Sequence, residues 1–471
     1  MSATEARMIV LELNELTPSL MHRFMARGLL PNFSRLYRES AIYTTTASER
    51  PPHLDPWIQW VTAHTGLNYS DHGLQRLNEG HTLRRPRIWD LLASTGRRSW
   101  ICGSMNVGDP PDGSALLPDP WTTTIRPQPA ELAPYFDFVQ RQVMEHTSAR
   151  PAAGARELLR FVRFMVAHGL SSRSVIAIAR QLVEERTSGA RWKRAALLDK
   201  LQFDVFARYY RRLRPHFATF FLNSTAHYQH LYWREMDPEV FTVQPTEAQR
   251  RMYQDAIAYG YREMDRLIAR VYALAEPGTT IVMATAISQQ PCLMFEEQGG
   301  KFFYRPTDVA RLASFAGIRD RFTVSPVMAH QFHMYFETPE AAEAAASRLS
   351  RVTHRGRPAL SVERNGRGIF AGCRIYERLA AGETLTIEGT SEQTGFFTVF
   401  YQVDGVKSGM HHPDGMLWIR RAGGAHAVHP VAVPLATVAP TLLEHFGVPR
   451  PEYMWPAIDE WTGAAPARAT A

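Results

Sequence analysis

Cysteine is scarce in this chain: three of 471 residues, Cys102, Cys292 and Cys373, odd in number and far apart. That excludes a disulfide framework and a C-x-x-C metal clip, and it fits a reducing compartment. Lysine is scarcer still. Only Lys193, Lys200, Lys301 and Lys407 stand among 53 basic residues, so the net charge of +7 is carried by arginine. A skew of that kind argues for coding bias over a nucleic-acid surface, and no nucleic-acid partner is expected. Long apolar runs are absent. In "MSATEARMIVLELNEL", Glu5, Arg7 and Glu12 bracket a stretch too short for a signal peptide or a membrane span. A cytoplasmic protein without a transmembrane segment is expected, with peripheral membrane contact open. No repeat of fixed period and no low-complexity tract occurs. What is present is a globular composition, 45% hydrophobic and 21% charged, enough for one large domain with insertions or two or three ordinary ones. Basic residues concentrate between Arg156 and Arg214. They make a solvated helical face, or a face for phosphates, a membrane surface or an acidic polymer.

The apolar runs are short and end abruptly. "MIVLEL" (Met8 to Leu13) stops at Asn14, as a buried parallel strand does where its carboxyl end opens into a loop. A helix pattern follows, with Thr17 as N-cap, Pro18 at the first helical position and Gly28 as a stop. "RIWDLLASTGRRSWICGSMN" and "DRLIARVYALAEPGTTIVMATAISQQP" repeat the order helix, glycine, strand, polar end, and "VAPTLLEHFGVPRP" closes with a further helix. Such alternation predicts an α/β fold, a three-layer α/β/α sandwich with a mostly parallel central sheet and its ligand at the carboxyl ends of the strands. Asn14, Asn223 and Ser288 to Gln290 then share one rim.

Two stretches break the rhythm. Residues 127–214 are helical in period and basic, which predicts an inserted helical cap, and 322–377 read as a small α+β insertion. The core is then 1–126, 215–321 and 378–460, with a mobile Ala-rich tail at 461–471.

Five segments in order, "VLELNELTPSLMHRFMARGLLPNFSRL", "PWIQWVTAHTGLNYSDHGL", "LNSTAHYQHLYW", "IVMATAISQQP" and "GMHHPDGMLWI...VAPTLLEHFGVPRP", resemble the alkaline phosphatase superfamily, particularly its type I phosphodiesterase and nucleotide pyrophosphatase branch. The match takes in about half the chain. The resemblance implies the three-layer fold. It also implies a site in which Asp ends the first strand, a Thr or Ser nucleophile precedes "TG...HG", Asp-x-x-x-His follows a central strand, Ser-Asp-His-Gly ends another and a late His sits in H-x-P-[DE]-G. In the family these groups hold two zinc ions that activate the nucleophile and clamp the phosphoryl oxygens.

This chain departs from that pattern at most positions. Asn14 stands at the first Asp, Ala226 at the Asp of Asp-x-x-x-His, and Ala286 with Ile287 at the Asp-His pair, so that only His230 and His411 stay in register. The nucleophile position falls on Pro56, or with a shift on Asp55 or Leu54, and no Thr or Ser lies between Ser48 and Thr62. Neutral Asn, Ala and Ile cannot supply the charge that holds a pair of divalent cations. No cofactor is therefore expected. A single Zn or Mn ion on His230, His411 and Asp55, or with Glu12 as the carboxylate, is the alternative.

The remaining polar residues divide into catalytic and binding candidates. His230, His411, Asp55, His53 and Asn14 are the catalytic ones, with His53 and Asp55 as a general base and its orienting carboxylate, or Asp55 as a turn residue before Pro56. Substrate contacts are expected from Glu15, Trp57, Gln59, His64, His227, Gln289, Gln290, His412 and Asp414. For several a packing or turn role is the competing reading, above all Trp57 with Trp60, His227, and His412 with Asp414. Glu12 and Glu15 flank Asn14, and one turned into the crevice has to be paired or protonated. The expected function is acid-base hydrolysis or group transfer on a phosphate, sulfate or glycosyl-type substrate without the usual dizinc centre. A single-metal phosphodiesterase or phosphatase and a non-catalytic ligand-binding relative are the alternatives. The partner is a small-molecule or glycan substrate, anionic in view of the basic cap; sequence is silent on oligomeric state.

Overall fold

The computed structural model describes residues 6–145, 154–325, 331–403 and 405–458. The apolar runs become β1 (Met8–Leu13), β2 (Ala41–Thr46), β3 (Ser99–Cys102), β4 (Ala115–Leu117), β5 (Phe217–Leu222) and β6 (Thr280–Ala284). These join a nine-stranded sheet in the order Ala427–Val428, β2, Asp414–Arg420, β6, β1, β5, β3, β4, with Val433–Pro434 also on β2. β6, β1, β5, β3 and β4 are parallel; the Asp414–Arg420 strand runs antiparallel between β6 and β2. Every residue of β1, β5 and β6 is buried, as strands covered on both faces must be.

One face packs on α1 (Pro18–Ala26), α2 (Pro31–Arg38) and the helices Arg194–Leu213, Ser224–Met236 and Ala256–Leu274. The other packs on α3 (Pro56–Thr65), Ile88–Ala93 and Val438–His445. This is the expected three-layer α/β/α sandwich. Among the described residues no helix is long and apolar enough to cross a membrane.

The helices Ala133–Glu145, Ala155–Ala167, Ser172–Ser188 and Arg194–Leu213 occupy the stretch expected to be a cap. Phe161, Phe164, Met165, Phe203 and Phe206 from these helices share the apolar cluster of the sheet's first face. The second insertion has its own cluster, which runs from Phe302 to Phe400 and so extends on both sides of 322–377. The tail at 461–471 lies outside the described residues.

Strand register sets the height of the functional rim. Leu13 lies opposite Leu222 and Glu12 opposite Ala284, so β1, β5 and β6 stop at one level. Beyond β6, β7 (Ser288–Pro291) pairs antiparallel with the Gly409–His412 strand, placing His411 opposite Gln289. Thr17 is the N-cap residue of α1, but its hydroxyl does not cap. It donates to the Gln289 carbonyl at 2.9 Å, which ties the start of α1 to β7.

Phe220 sits at the centre of this framework, fully buried between Phe203 and Phe206 at ring separations of 5.4 and 4.7 Å. Phe220→Ala is expected to cost about 3–5 kcal/mol, read as a lower midpoint in chemical denaturation. An unchanged midpoint would place the stabilising core elsewhere.

Candidate functional site

β1 ends in two polar residues with opposite roles. The Asn14 amide is consumed by its neighbours: its oxygen accepts from Trp60 Nε1 at 2.8 Å, and its nitrogen donates to Asn223 Oδ1 and Glu15 Oε1, each at 2.8 Å. It anchors the loop and offers nothing to a ligand. Glu15 takes a left-handed backbone with φ +58°, uncommon outside glycine, and its side chain is 2% exposed. Gln229 Nε2 holds that turn by donating to the Glu15 carbonyl at 2.7 Å, and Tyr261 fixes Gln229 with a 2.8 Å bond to its amide oxygen.

The buried carboxylate is the hub. Gln289 Nε2 donates to Glu15 Oε2 at 2.6 Å, His230 Nε2 lies at 3.0 Å and His411 Nε2 at 3.4 Å. Each imidazole is tied on its other side. His230 Nδ1 is 3.0 Å from the Gly409 carbonyl, which can only accept, so the Nδ1 proton is fixed there. His411 Nδ1 faces Asp55 Oδ1 at 3.3 Å. Both Nε2 atoms therefore point at one oxygen. Gly409 permits the close crossing of strand and helix, because a Cβ there would lie 2.4 Å from Gln289 Oε1 and 2.5 Å from the Gln229 carbonyl oxygen.

Electrostatics follow from this geometry. Burial by itself pushes Glu15 toward its protonated form. The charges of His411 and His230, with hydrogen bonds from His230 and Gln289, outweigh it and hold Glu15 at about 2. Burial likewise disfavours the charged form of His411, but Glu15 and Asp55 raise it above the ordinary imidazole value. The carboxylate is sealed while the other groups reach solvent: the side chains of His230, His411 and Asp55 are 28, 19 and 29% exposed.

His230, His411, Asp55, Glu15 and Gln289 thus converge, and Gln290 stands beside them with its amide 3.4 Å from the His411 carbonyl. Asp55 occupies the N-cap of α3 without capping it, its carboxylate spent on His411. The pairing of His53 with Asp55 is absent: the His53 ring stacks on Tyr69 at 4.6 Å. Trp57 donates to the Gln75 carbonyl at 2.9 Å. Gln59 is buried and donates to the His53 carbonyl at 3.1 Å. His64 is buried behind the rim, 2.8 Å from Glu12, with Trp60 stacked on it, so Glu12 faces away from His230 and His411. His227 is exposed on its helix. His412 Nδ1 accepts from the Asp414 backbone at 3.2 Å and closes the turn after His411. Sequence reading placed Asn223 on the rim, where it accepts from Asn14, and missed Gln229 and Tyr261 as supports. Gln229, next to His230 and flanked by tyrosine in "HYQHLYW", carried the one available signal.

An ion pair of family type does not fit here. Asn14 is spent, and Ala226, Ala286 and Ile287 are buried and without donor side chains. One ion does fit, since Glu15, His230 and His411 each offer a ligand atom within 4.8 Å of the others. The carboxylate of that set is Glu15, where Asp55 was expected; Asp55 instead orients His411 from behind, an arrangement common around metal-bound imidazoles.

No family model matches the chain, and no curated protein matches it. Among solved structures it is similar to phosphonoacetate hydrolase from Sinorhizobium meliloti 1021, at 12% identity over 94% of this chain and 96% of that one, with a TM-score of 0.43. It is also similar to murine ectonucleotide pyrophosphatase/phosphodiesterase 5 (9% identity, 95% and 97% covered, TM-score 0.42) and to alkaline phosphatase PafA (10%, 96% and 98%, 0.47).

Glu15→Gln preserves shape and removes the charge. Of two opposite pH dependences, that of Glu15 then disappears and that of His411 weakens, Asp55 keeping part of it. Glu15, held below its ordinary 4.5, stabilises the fold above that value and stops doing so as pH falls toward 2. His411, raised above 6.5, stabilises below that value and stops as pH rises through its elevated one. Wild type should exceed the variant by on the order of 3 kcal/mol, most between about pH 4.5 and 6.5, in denaturation curves across pH. A pH-independent difference would contradict the pairing.

Proposed function

We propose that the chain is an enzyme on an alkaline-phosphatase-like scaffold that has given up the dizinc centre and works by acid-base chemistry through His411, His230, Glu15 and Asp55. Its reaction is hydrolysis or group transfer at a phosphate, sulfate or glycosyl-type ester. One observation supports this best: two imidazoles turn Nε2 onto a single buried carboxylate, each braced at Nδ1 by an acceptor. Bracing fixes which nitrogen reacts. Raised above the ordinary imidazole value by Glu15 and Asp55, His411 keeps its Nε2 proton to higher pH than a free imidazole does and can give it to a leaving-group oxygen. His230 stands at a ring separation of 5.3 Å and can take the proton of an attacking water once its own Nε2 is free. No protein nucleophile is needed, which accords with the lack of Thr or Ser between Ser48 and Thr62. Gln290 adds an amide at the edge.

A second reading keeps one ion. Glu15, His230 and His411 would hold it, and the donor set of two imidazoles and a carboxylate suits Zn or Mn. Bound there, an ion would supply a Lewis acid and an acidified water. The chain's own contribution would be unchanged: Asp55 and the Gly409 carbonyl orient the imidazoles, and Gln289 and Asn14 orient Glu15.

Turnover on aryl phosphate mono- and diesters, sulfates and glycosides, with metal analysis of the same preparation, tests both. The acid-base reading expects His411→Ala and His230→Ala to stay folded and lose about 10²–10⁴-fold, with chelators inert. About one ion per chain, with chelator-sensitive turnover restored by Zn or Mn, would replace it by the single-ion reading. Wild-type chain that binds such esters without converting any would make the protein a non-catalytic relative.

A further inference from the structure

The helices Ala155–Ala167 and Ser172–Ser188 leave unusual surfaces. Of the seventeen large hydrophobic residues exposed among the described residues, eight lie on these two helices, with Val166 67%, Val183 63% and Leu182 55% exposed. They are not scattered. At 3.6 residues per turn, Leu158, Leu159, Val162 and Val166 fall on one side of the first helix. Val175, Ile176, Leu182 and Val183, with Ala179, fall on one side of the second. Each stripe is roughly 100–120° wide. The residues that bury themselves lie on the adjoining side of the first helix, Phe161, Phe164 and Met165, and on the opposite side of the second, Ser174 and Gln181.

Charge is arranged beside the stripes. Arg156, Arg160 and Arg163 border the first, Arg173 and Arg180 the second, and Arg186 ends it. The acidic residues of both helices are already neutralised: Glu157 by Arg141 at 2.5 Å, Glu184 by Lys193 at 2.6 Å and Glu185 by Arg194 at 2.5 Å. None of the six arginines has a carboxylate partner among the described residues. A cleft of about 830 Å³ opens along the second helix, and of its cations Arg173, Arg180 and Arg262 are likewise without one.

We propose that these two helices dock the protein on an anionic lipid surface, lying in the interface with their apolar stripes turned to the acyl chains and their arginines to the headgroups. An apolar stripe bordered by unpaired cations is what such a surface binds. A second copy of the chain fits less well, because facing two such stripes brings like-charged arginine rows together. The surface is separate from the Glu15 centre, and the inference does not depend on the function proposed for it.

Flotation of the full chain with vesicles tests this. With equal parts phosphatidylglycerol and phosphatidylcholine the protein should float. On pure phosphatidylcholine, or when salt rises from about 0.1 M to about 1 M and the screening length falls from roughly 10 to 3 Å, the bound fraction should drop at least about tenfold. Leu159→Glu with Leu182→Glu, both at exposed positions, should keep the wild-type melting curve and lose binding. Arg156→Gln, Arg163→Gln and Arg180→Gln together should lose the preference for the anionic lipid. Wild-type chain remaining in solution with both vesicle types would overturn the proposal. So would a concentration-dependent dimer that Leu159→Glu abolishes in the absence of any vesicle binding, an outcome that assigns the stripes to a second copy.

Discussion

The structure of the rim depends on one buried anion. Glu15 is almost completely removed from water, and an isolated carboxylate in that position would carry a prohibitive desolvation cost. It is kept charged by two imidazoles and two amides that converge on it from β1 itself, the Ser224–Met236 helix, β7 and the Gly409–His412 strand. Each of those elements is in turn placed by the sheet register. Removing the charge would leave the two imidazoles without the anion on which both converge.

The same anion changes what the resemblance implies. The resemblance implies ligand positions that here carry neutral or apolar side chains, Asn14, Ala226, Ala286 and Ile287, yet the cavity holds a negative charge. It sits at Glu15, one residue beyond Asn14, which braces the loop. A one-residue shift at a strand end ordinarily turns a side chain to the other face. Here the left-handed turn at Glu15 brings it back into the crevice.

That shift also marks the limit of what was legible in the sequence. The buried strands, the helix order and the shared rim could be read because apolar runs with polar ends, proline starts and glycine stops are local signals. Asn14, Asp55, His230, Gln289 and His411 were all identified, because each lies at the end of such an element or within a recognisable motif. The partner of each was not legible. Nothing in the residue types distinguishes Glu12, which turns to His64 from within β1, from Glu15, which turns to His230 and His411 through a left-handed backbone just beyond it. Nor does "PPHLDPW" reveal that Asp55 reaches across to a histidine more than three hundred residues away while His53 stacks on a tyrosine.

The antiparallel Asp414–Arg420 strand lies between β6 and β2, and among the described residues it alone joins β2 to β6, β1, β5, β3 and β4. β2 therefore leaves the ribosome more than three hundred residues before the strand it pairs with. Until then the edge of β6 stays unpaired, an opening that other chains could fill. His411 travels on the same late segment, so a chain stalled before that point has neither a closed sheet nor an assembled centre.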